Sequence, residues 1–93
     1  MVSDRIKQLR ELAGYSQAQL AKKLDVTRSS VNAWEMGLST PTTQYVVAIA
    51  KLFHVSTDYV LGTEPEMSIS LRDYTEREKN LVLNLLQYFD DQR

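Results

Sequence analysis

The sequence predicts an all-α fold in which five short helices form one domain and a sixth helix follows. Apolar residues recur three or four positions apart in six separate stretches, which is helical spacing. Glycine follows the first, third and fifth stretches at Gly14, Gly37 and Gly62, where helices often end. Only Ile69 and Leu71, which alternate with serines, suggest a short extended segment.

The first helix is expected from Asp4 to Ala13. Ser3 is placed to cap its first turn, and Gly14 ends it by adopting the left-handed conformation that other residues resist. The apolar positions of this helix are Ile6, Leu9, Leu12 and Ala13.

The second helix begins with a capping box. Ser16 is followed three residues later by Gln19, and each side chain can bond the backbone N–H of the other. The helix runs through Leu24, and Asp25 occupies the turn that follows because Asp tolerates a left-handed backbone better than most residues. The residues predicted to face the core are Leu20, Ala21, Leu24 and Val26.

The third helix is predicted from its cap at Thr27 to about Met36, with Gly37 as its stop. Val31 and Trp34 are three residues apart and point to one side, toward the core. The opposite side carries Arg28, Ser29, Asn32 and Ala33.

The fourth helix begins either at Thr40–Pro41 or at Thr42, since both offer a cap. It is the most apolar stretch and is therefore expected at the centre of the domain. Ser56 caps a short fifth helix through about Leu61. The one histidine, His54, is expected on the surface between these two helices.

Residues 63–74 contain proline and polar residues with little periodicity and are predicted to form a linker after a domain at 1–62. Thr75 and Glu78 form a second capping box, which opens a helix to about Asp90 within the segment 75–93. This helix either folds back on its own domain or pairs with a second chain. Pairing is favoured because the first five helices already form a closed unit. The side chains assigned to dimerisation are Leu81, Leu85, Tyr88 and Phe89.

Composition excludes several classes of protein. There is no cysteine, so neither a disulfide framework nor a thiolate metal site is expected. No signal peptide or membrane-spanning stretch is recognisable, and a soluble cytoplasmic protein is expected. The lone histidine and the absence of a phosphate-binding glycine loop argue against an enzyme, a metal site, a cofactor or a small-molecule ligand.

Charge is distributed unevenly along the chain. The stretch through Gly62 has seven basic and five acidic residues, whereas the stretch from Thr63 has four and seven. A net charge of −1 does not by itself indicate a nucleic-acid partner.

Residues 5–62 resemble the Cro/CI-type helix-turn-helix family, also called the XRE family. Cap, core and turn positions agree together, which makes the resemblance specific. These positions are Ile6, Leu9, Leu12, Ser16–Ala21, Leu24, Val26, Thr27, Val31, Trp34, Glu35, Gly37, Pro41 and Ala50–Ser56. The resemblance implies a five-helix, lambda-repressor-like DNA-binding domain whose third helix lies in the major groove of double-stranded DNA. It also implies a partly buried ion pair between Arg10 and Glu35.

The residues of the third helix suit base recognition. Arg28 can bond the O6 and N7 atoms of guanine, and Asn32 can bond adenine in the same two-pronged manner. Ser29 fits either base, and Ala33 can contact a thymine methyl group. Without the family pattern, Arg28 and Asn32 would be ordinary solvated residues.

Other residues suit contact with the DNA backbone. Gln17 matches a family position that touches the backbone, which implies a phosphate contact at the start of the second helix. The remaining backbone-contacting set is Ser16, Thr27, Ser39, Thr40 and Thr43.

Two features depart from the family pattern. Asp25 replaces a common glycine, and the loop after the third helix has Met36, Leu38 and Ser39 where many members carry basic residues. Fewer cationic contacts predict a shallow dependence of DNA affinity on salt.

The sequence therefore predicts a DNA-binding transcriptional regulator, a repressor-like homodimer on a near-palindromic operator. The alternative is a protein-interaction module, such as an antitoxin or antirepressor, that acts mainly by binding another protein.

Overall fold

A computed structural model describes all 93 residues and contains six helices and no strand. The helices are α1 (Val2–Leu12), α2 (Gln17–Leu24), α3 (Arg28–Glu35), α4 (Thr43–Phe53), α5 (Thr57–Leu61) and α6 (Glu76–Asp91). The all-α prediction of five helices plus a C-terminal helix is confirmed. Residues Ile69 and Leu71, which alternate with serines, form no strand. None of the helices combines the length and apolar character needed to cross a membrane.

Side-chain caps fix the start of four helices as predicted. Both capping boxes form: Ser16 with Gln19 at α2, and Thr75 with Glu78 at α6. In α3, the hydroxyl of Thr27 accepts the N–H of Ser30 at 3.1 Å, and Ser56 plays the same role in α5. These bonds satisfy donors that a helix start leaves unpaired, so local sequence decides where each helix begins.

The first helix differs from expectation at its start, whereas the fourth begins at the second of its two predicted positions. α1 begins at Val2, so Ser3 lies inside the helix and caps nothing. For α4 the cap position is Thr42 rather than Thr40, although its hydroxyl makes no capping bond. Pro41 is buried just ahead of this cap and anchors the entering chain.

The apolar face of α1 is narrower than its sequence suggests. Ile6 and Leu9 are fully buried, whereas Leu12 is 70% exposed and Ala13 is also exposed. At 100° per residue, Leu12 is rotated a further ~60° away from Ile6 than Leu9 is, and it lies in the last turn. Apolar spacing along α1 therefore does not by itself predict which of these side chains is buried.

The core lies between the five helices of the domain, where α1 packs on α3 and α5, α2 on α3 and α4, and α4 on α5. Its fully buried centre comprises Ile6, Leu20, Val31, Ile49 and Val60. Every one of the five helices of the domain contributes one of these side chains, so none is a detachable appendage. This common core fixes α2 and α3 relative to each other.

Two tight turns place non-glycine residues in the left-handed region. Asp25 has φ 57° between α2 and α3, as predicted, and His54 has φ 58° at the end of α4. His54 is half-buried rather than a surface side chain, because its Nε2 lies 2.8 Å from the hydroxyl of Tyr74. The backbone carbonyl of His54 accepts the N–H of Ser70 at 2.8 Å. The segment before α6 is thereby held against the end of α4.

α6 extends from the domain without packing on it. None of its residues is buried, and its large apolar side chains are between 37% and 64% exposed. The structure thus shows no fold-back of this helix over its own domain.

Candidate nucleic-acid interface

The second and third helices form a compact pair joined by a short turn. The left-handed Asp25 reverses the chain within the turn, and the N–H of Val26 bonds the carbonyl of Ala21 at 2.9 Å. Ala21 and Val31 are both buried, so small and branched side chains face the interior of the pair. The packed side of α3 is therefore fixed, and its opposite side is presented to solvent.

The N-terminal half of α3 carries the predicted base-reading side chains on this open side. Arg28, Ser29 and Asn32 are exposed, and Ala33 is half-buried. At 100° per residue, Arg28 and Asn32 lie within ~40° of each other, one turn apart. Trp34, whose indole is 5% exposed and lies 5.6 Å from the ring of Tyr45, points into the core. The prediction that Trp34 points toward the core is confirmed.

A side-chain network connects Asn32 to the interior. Gln17 Nε2, at the start of α2, lies 3.2 Å from Asn32 Oδ1 and 3.2 Å from Glu35 Oε1, and it donates to both. Because one lone pair of Asn32 Oδ1 is used by Gln17, the second lone pair and the amide N–H groups stay available to a base. Gln17 therefore holds the Asn32 side chain in one orientation.

The same network ends in a partly buried ion pair. Arg10 Nε donates to Glu35 Oε2 at 2.6 Å, and Arg10 Nη2 donates to Glu35 Oε1 at 2.9 Å. A third bond runs from Arg10 Nη1 to the carbonyl of Tyr15 at 2.8 Å. The hydrogen bonds that Arg10 donates to Glu35 raise the pKa of Arg10 above its ordinary value. The ion pair implied by the family resemblance is present, and it ties α1 to α3.

Free backbone donors lie at the starts of α2 and α4. The N–H groups of Gln17 and Ala18 at the start of α2 make no hydrogen bond within the chain, and neither do those of Thr43 and Gln44 at the start of α4. Helix starts carry a partial positive charge, so both positions suit phosphate oxygens.

The hydroxyls predicted to contact the DNA backbone fall into two groups. Ser16 and Thr27 are exposed, but their oxygens already cap α2 and α3. Ser39, Thr40 and Thr43 are exposed and make no side-chain bond. In the same loop, the N–H groups of Leu38 and Ser39 bond the carbonyl of Ala33 at 2.9 and 3.3 Å. Hydroxyls, rather than these backbone donors, are what this loop can offer to a phosphate.

Sequence reasoning missed two features near this surface. The hydrogen bond between Gln17 and Asn32 joins residues fifteen positions apart, and no local sequence pattern predicts it. Arg5 stacks 3.8 Å from the centre of the Tyr59 ring and donates to the carbonyls of Tyr59 and Glu64. Arg5 therefore stabilises the junction of α1 and α5.

Comparison with known proteins places this geometry in a family. A family model described as helix-turn-helix matches residues 6–60. The chain is 28% identical over 88 residues to the HTH-type transcriptional regulator ImmR of Bacillus subtilis (strain 168), covering 95% of this chain and 67% of ImmR. It is 27% identical over 100 residues to the antitoxin PezA of Streptococcus pneumoniae serotype 4, covering 99% of this chain and 63% of PezA. The chain thus spans about two thirds of the length of these two relatives.

A solved structure also matches the fold of this chain. The structure of SinR, a master regulator for biofilm formation, in complex with DNA superposes with a TM-score of 0.61 at 35% identity. The match covers 66% of this chain and 98% of that chain. The matching family model, the named regulators and the shared helical architecture agree with one another. The chain therefore belongs to the Cro/CI-type (XRE) helix-turn-helix family of transcriptional regulators.

Proposed function

We propose that this regulator binds double-stranded DNA as a homodimer, with α3 in the major groove of each half of a near-palindromic operator, and that it acts as a repressor. One observation carries the proposal. Arg28 and Asn32 stand exposed on one side of the N-terminal half of α3, while the other side of the helix is locked in the core. A helix presented in this way reads base edges with its first turns.

Each base-reading residue has an assigned partner. Arg28 bonds the O6 and N7 atoms of guanine, and Asn32 bonds the N6 and N7 atoms of adenine. Ser29 contacts either purine, and Ala33 contacts a thymine methyl group. Gln17 supports the adenine contact because it already holds Asn32 Oδ1 at 3.2 Å.

Phosphate contacts set the position of the domain on the duplex. The free N–H groups at the starts of α2 and α4 bind phosphates on either side of the groove, with Gln17 nearby. The hydroxyls of Ser39, Thr40 and Thr43 add neutral contacts. Ser16 and Thr27 orient the starts of α2 and α3 through their capping bonds, and their exposed side chains contact the DNA backbone.

The dimer uses the uncovered helix α6. Leu81, Leu85, Tyr88 and Phe89 are between 47% and 64% exposed, and a single domain of this size makes only a small interface with DNA. Two-fold pairing places two recognition helices about one DNA turn (~34 Å) apart. The similarity to SinR in complex with DNA supports this arrangement of the domain on a duplex.

The experiment uses a site selected from random duplex DNA with the unaltered protein. Arg28→Ala combined with Asn32→Ala removes two base contacts from each half-site. At ~1–3 kcal/mol per contact, one half-site alone lowers affinity by at least ~30-fold, and the loss for the homodimer is larger. Binding to unrelated DNA changes much less. The matched control is Arg72→Ala with Asn80→Ala, which removes the same side chains from exposed positions outside the interface. Equal affinity of both double variants for the selected site would contradict the proposal.

A second function is favoured by the similarity to an antitoxin. The chain aligns over 99% of its length with PezA, which makes binding to another protein the alternative role. In that case the double variant of Arg28 and Asn32 keeps its biological effect, whereas substitutions in α6 abolish it. The two roles are separable because no residue of α6 is buried against the domain that carries Arg28 and Asn32.

A further inference from the structure

The charges at the C-terminal end of α6 are unfavourable for the helix dipole. Its last turn contains Asp90 and Asp91 and no basic residue, although a helix C-terminus favours cations. Its first turns contain the cations Arg77 and Lys79. Lys79 is paired with Glu76 at 3.2 Å, whereas Arg77 makes no side-chain bond. Arg77 and Asp91 of one chain are ~21 Å apart along the helix, so they cannot pair with each other.

The positions of these charges relative to the apolar side chains are regular. Leu81, Leu85 and Tyr88 lie within ~60° of one another around the helix and form a seam. Arg77, Asn84 and Asp91 recur every seven residues along one flank of this seam. The flank is positive at its start, neutral in its middle and negative at its end.

We propose that α6 pairs in antiparallel fashion with α6 of a second copy, about a two-fold axis that passes near Leu83. This inference rests on the homodimer proposed above and specifies its geometry. Leu81 packs against the partner's Leu85, and Arg77 lies beside the partner's Asp91. Since the axis is two-fold, each of these contacts occurs twice.

The remaining side chains fit the same register. Asn84 meets the partner's Asn84 on one flank, and Val82 meets the partner's Val82 on the other. At each end of the seam Tyr88 lies over the partner's Glu78, whose carboxylate accepts the phenol hydrogen. The apolar side chains on the paired side of both helices, which exclude Leu83 and Leu86 on the outer side, then bury less than the ~1,200 Å² of a standard specific interface, as expected for a weak dimer.

Parallel pairing is disfavoured by the same residues. It places Glu78 beside the partner's Glu78 within the seam and brings both pairs of C-terminal aspartates together. It also aligns the two helix dipoles. Antiparallel pairing separates the two Glu76 ends by ~21 Å along the axis, whereas parallel pairing leaves them ~10 Å apart. The larger separation is closer to one turn of DNA.

Charge exchange tests the pairing by sedimentation equilibrium of the full chain. Arg77→Asp and Asp91→Arg each convert two attractions into two repulsions, and each raises the dimer Kd by about tenfold. The double variant Arg77→Asp with Asp91→Arg restores the pairs in the opposite sense and returns the Kd to within about threefold of the original. Additive weakening in the double variant overturns the antiparallel register.

Label distances give a second measurement that does not depend on dimer strength. The chain lacks cysteine, so single spin labels can be placed at Glu76→Cys and Leu83→Cys, seven residues apart on the outer side of α6. Antiparallel pairing makes the distance between Glu76 labels roughly 10 Å longer than that between Leu83 labels. Equal distances indicate parallel pairing and overturn the inference, while operator binding stands. A monomer at high micromolar concentration, with and without DNA, overturns the pairing itself.

Discussion

Glu35→Ala removes the carboxylate that accepts two hydrogen bonds from the Arg10 guanidinium. The side chain of Glu35 is 3% exposed and that of Arg10 is 13% exposed, so little water can replace the lost partner. Arg10 keeps only its bond to the carbonyl of Tyr15. Removing one member of a buried ion pair leaves an uncompensated charge, which costs ~3–5 kcal/mol. The partial exposure of Arg10 places the expected loss near ~3 kcal/mol.

The loss can be measured by urea unfolding followed through Trp34, the single tryptophan, which is buried next to Glu35 in sequence. With a slope of ~1–1.5 kcal/mol per molar urea for a domain of this size, the midpoint falls by ~2–3 M. Glu66→Ala is the matched control, because it removes an exposed carboxylate that makes no side-chain bond and should cost less than ~0.5 kcal/mol.

A paired replacement separates the charge from the packing. Arg10→Met with Glu35→Leu removes both charges and fills similar volume, so it should be more stable than Glu35→Ala alone. A loss below ~1 kcal/mol for Glu35→Ala would refute the reasoning. So would a paired variant less stable than the single one.

Three further results are expected. Asp25→Gly relieves a left-handed backbone and should raise Tm by ~3 °C; a lower Tm would show that the aspartate stabilises the turn. A plot of log K against log salt should be shallower than the slope of about −7 expected for eight phosphate contacts, since the loop after α3 lacks basic residues. Hydrogen bonding from Thr75 lowers the pKa of Glu78, so its stabilisation of α6 is full above ~pH 4.3 and is lost as pH falls through the lowered value. Helical circular dichroism should therefore decline in acid more for the unaltered chain than for Glu78→Gln.

Local chemistry explains how much of the fold was predictable. A hydroxyl that accepts the backbone N–H three residues later fixes a helix start without reference to the rest of the chain. The side chains that cap helices in this way, as predicted, are Ser16, Thr27, Ser56 and Thr75. The exposed Leu12 escaped prediction because its burial depends on how far neighbouring helices extend, which spacing alone does not encode.

The residues of the candidate site were predictable from the sequence, but the hydrogen bonds between them were not all predictable. The family resemblance supplied the Arg10–Glu35 ion pair and the exposed positions on α3. The bond from Gln17 to Asn32 depends on the packing of α2 against α3, and therefore only the folded chain reveals it. The contact between His54 and Tyr74 arises in the same way, from two segments twenty positions apart. Long-range polar contacts of this kind leave no periodic trace in the sequence.

Selection of random duplex DNA by the full chain, read out by sequencing, tests most directly whether α3 reads bases from a two-fold dimer. The expected product is a near-palindrome whose half-sites are about 10 base pairs apart from centre to centre and contain a guanine and an adenine for Arg28 and Asn32. The same selection with Arg28→Ala and Asn32→Ala should lose the preference at those two positions. No enriched sequence, or the same motif from both proteins, would contradict base reading by α3.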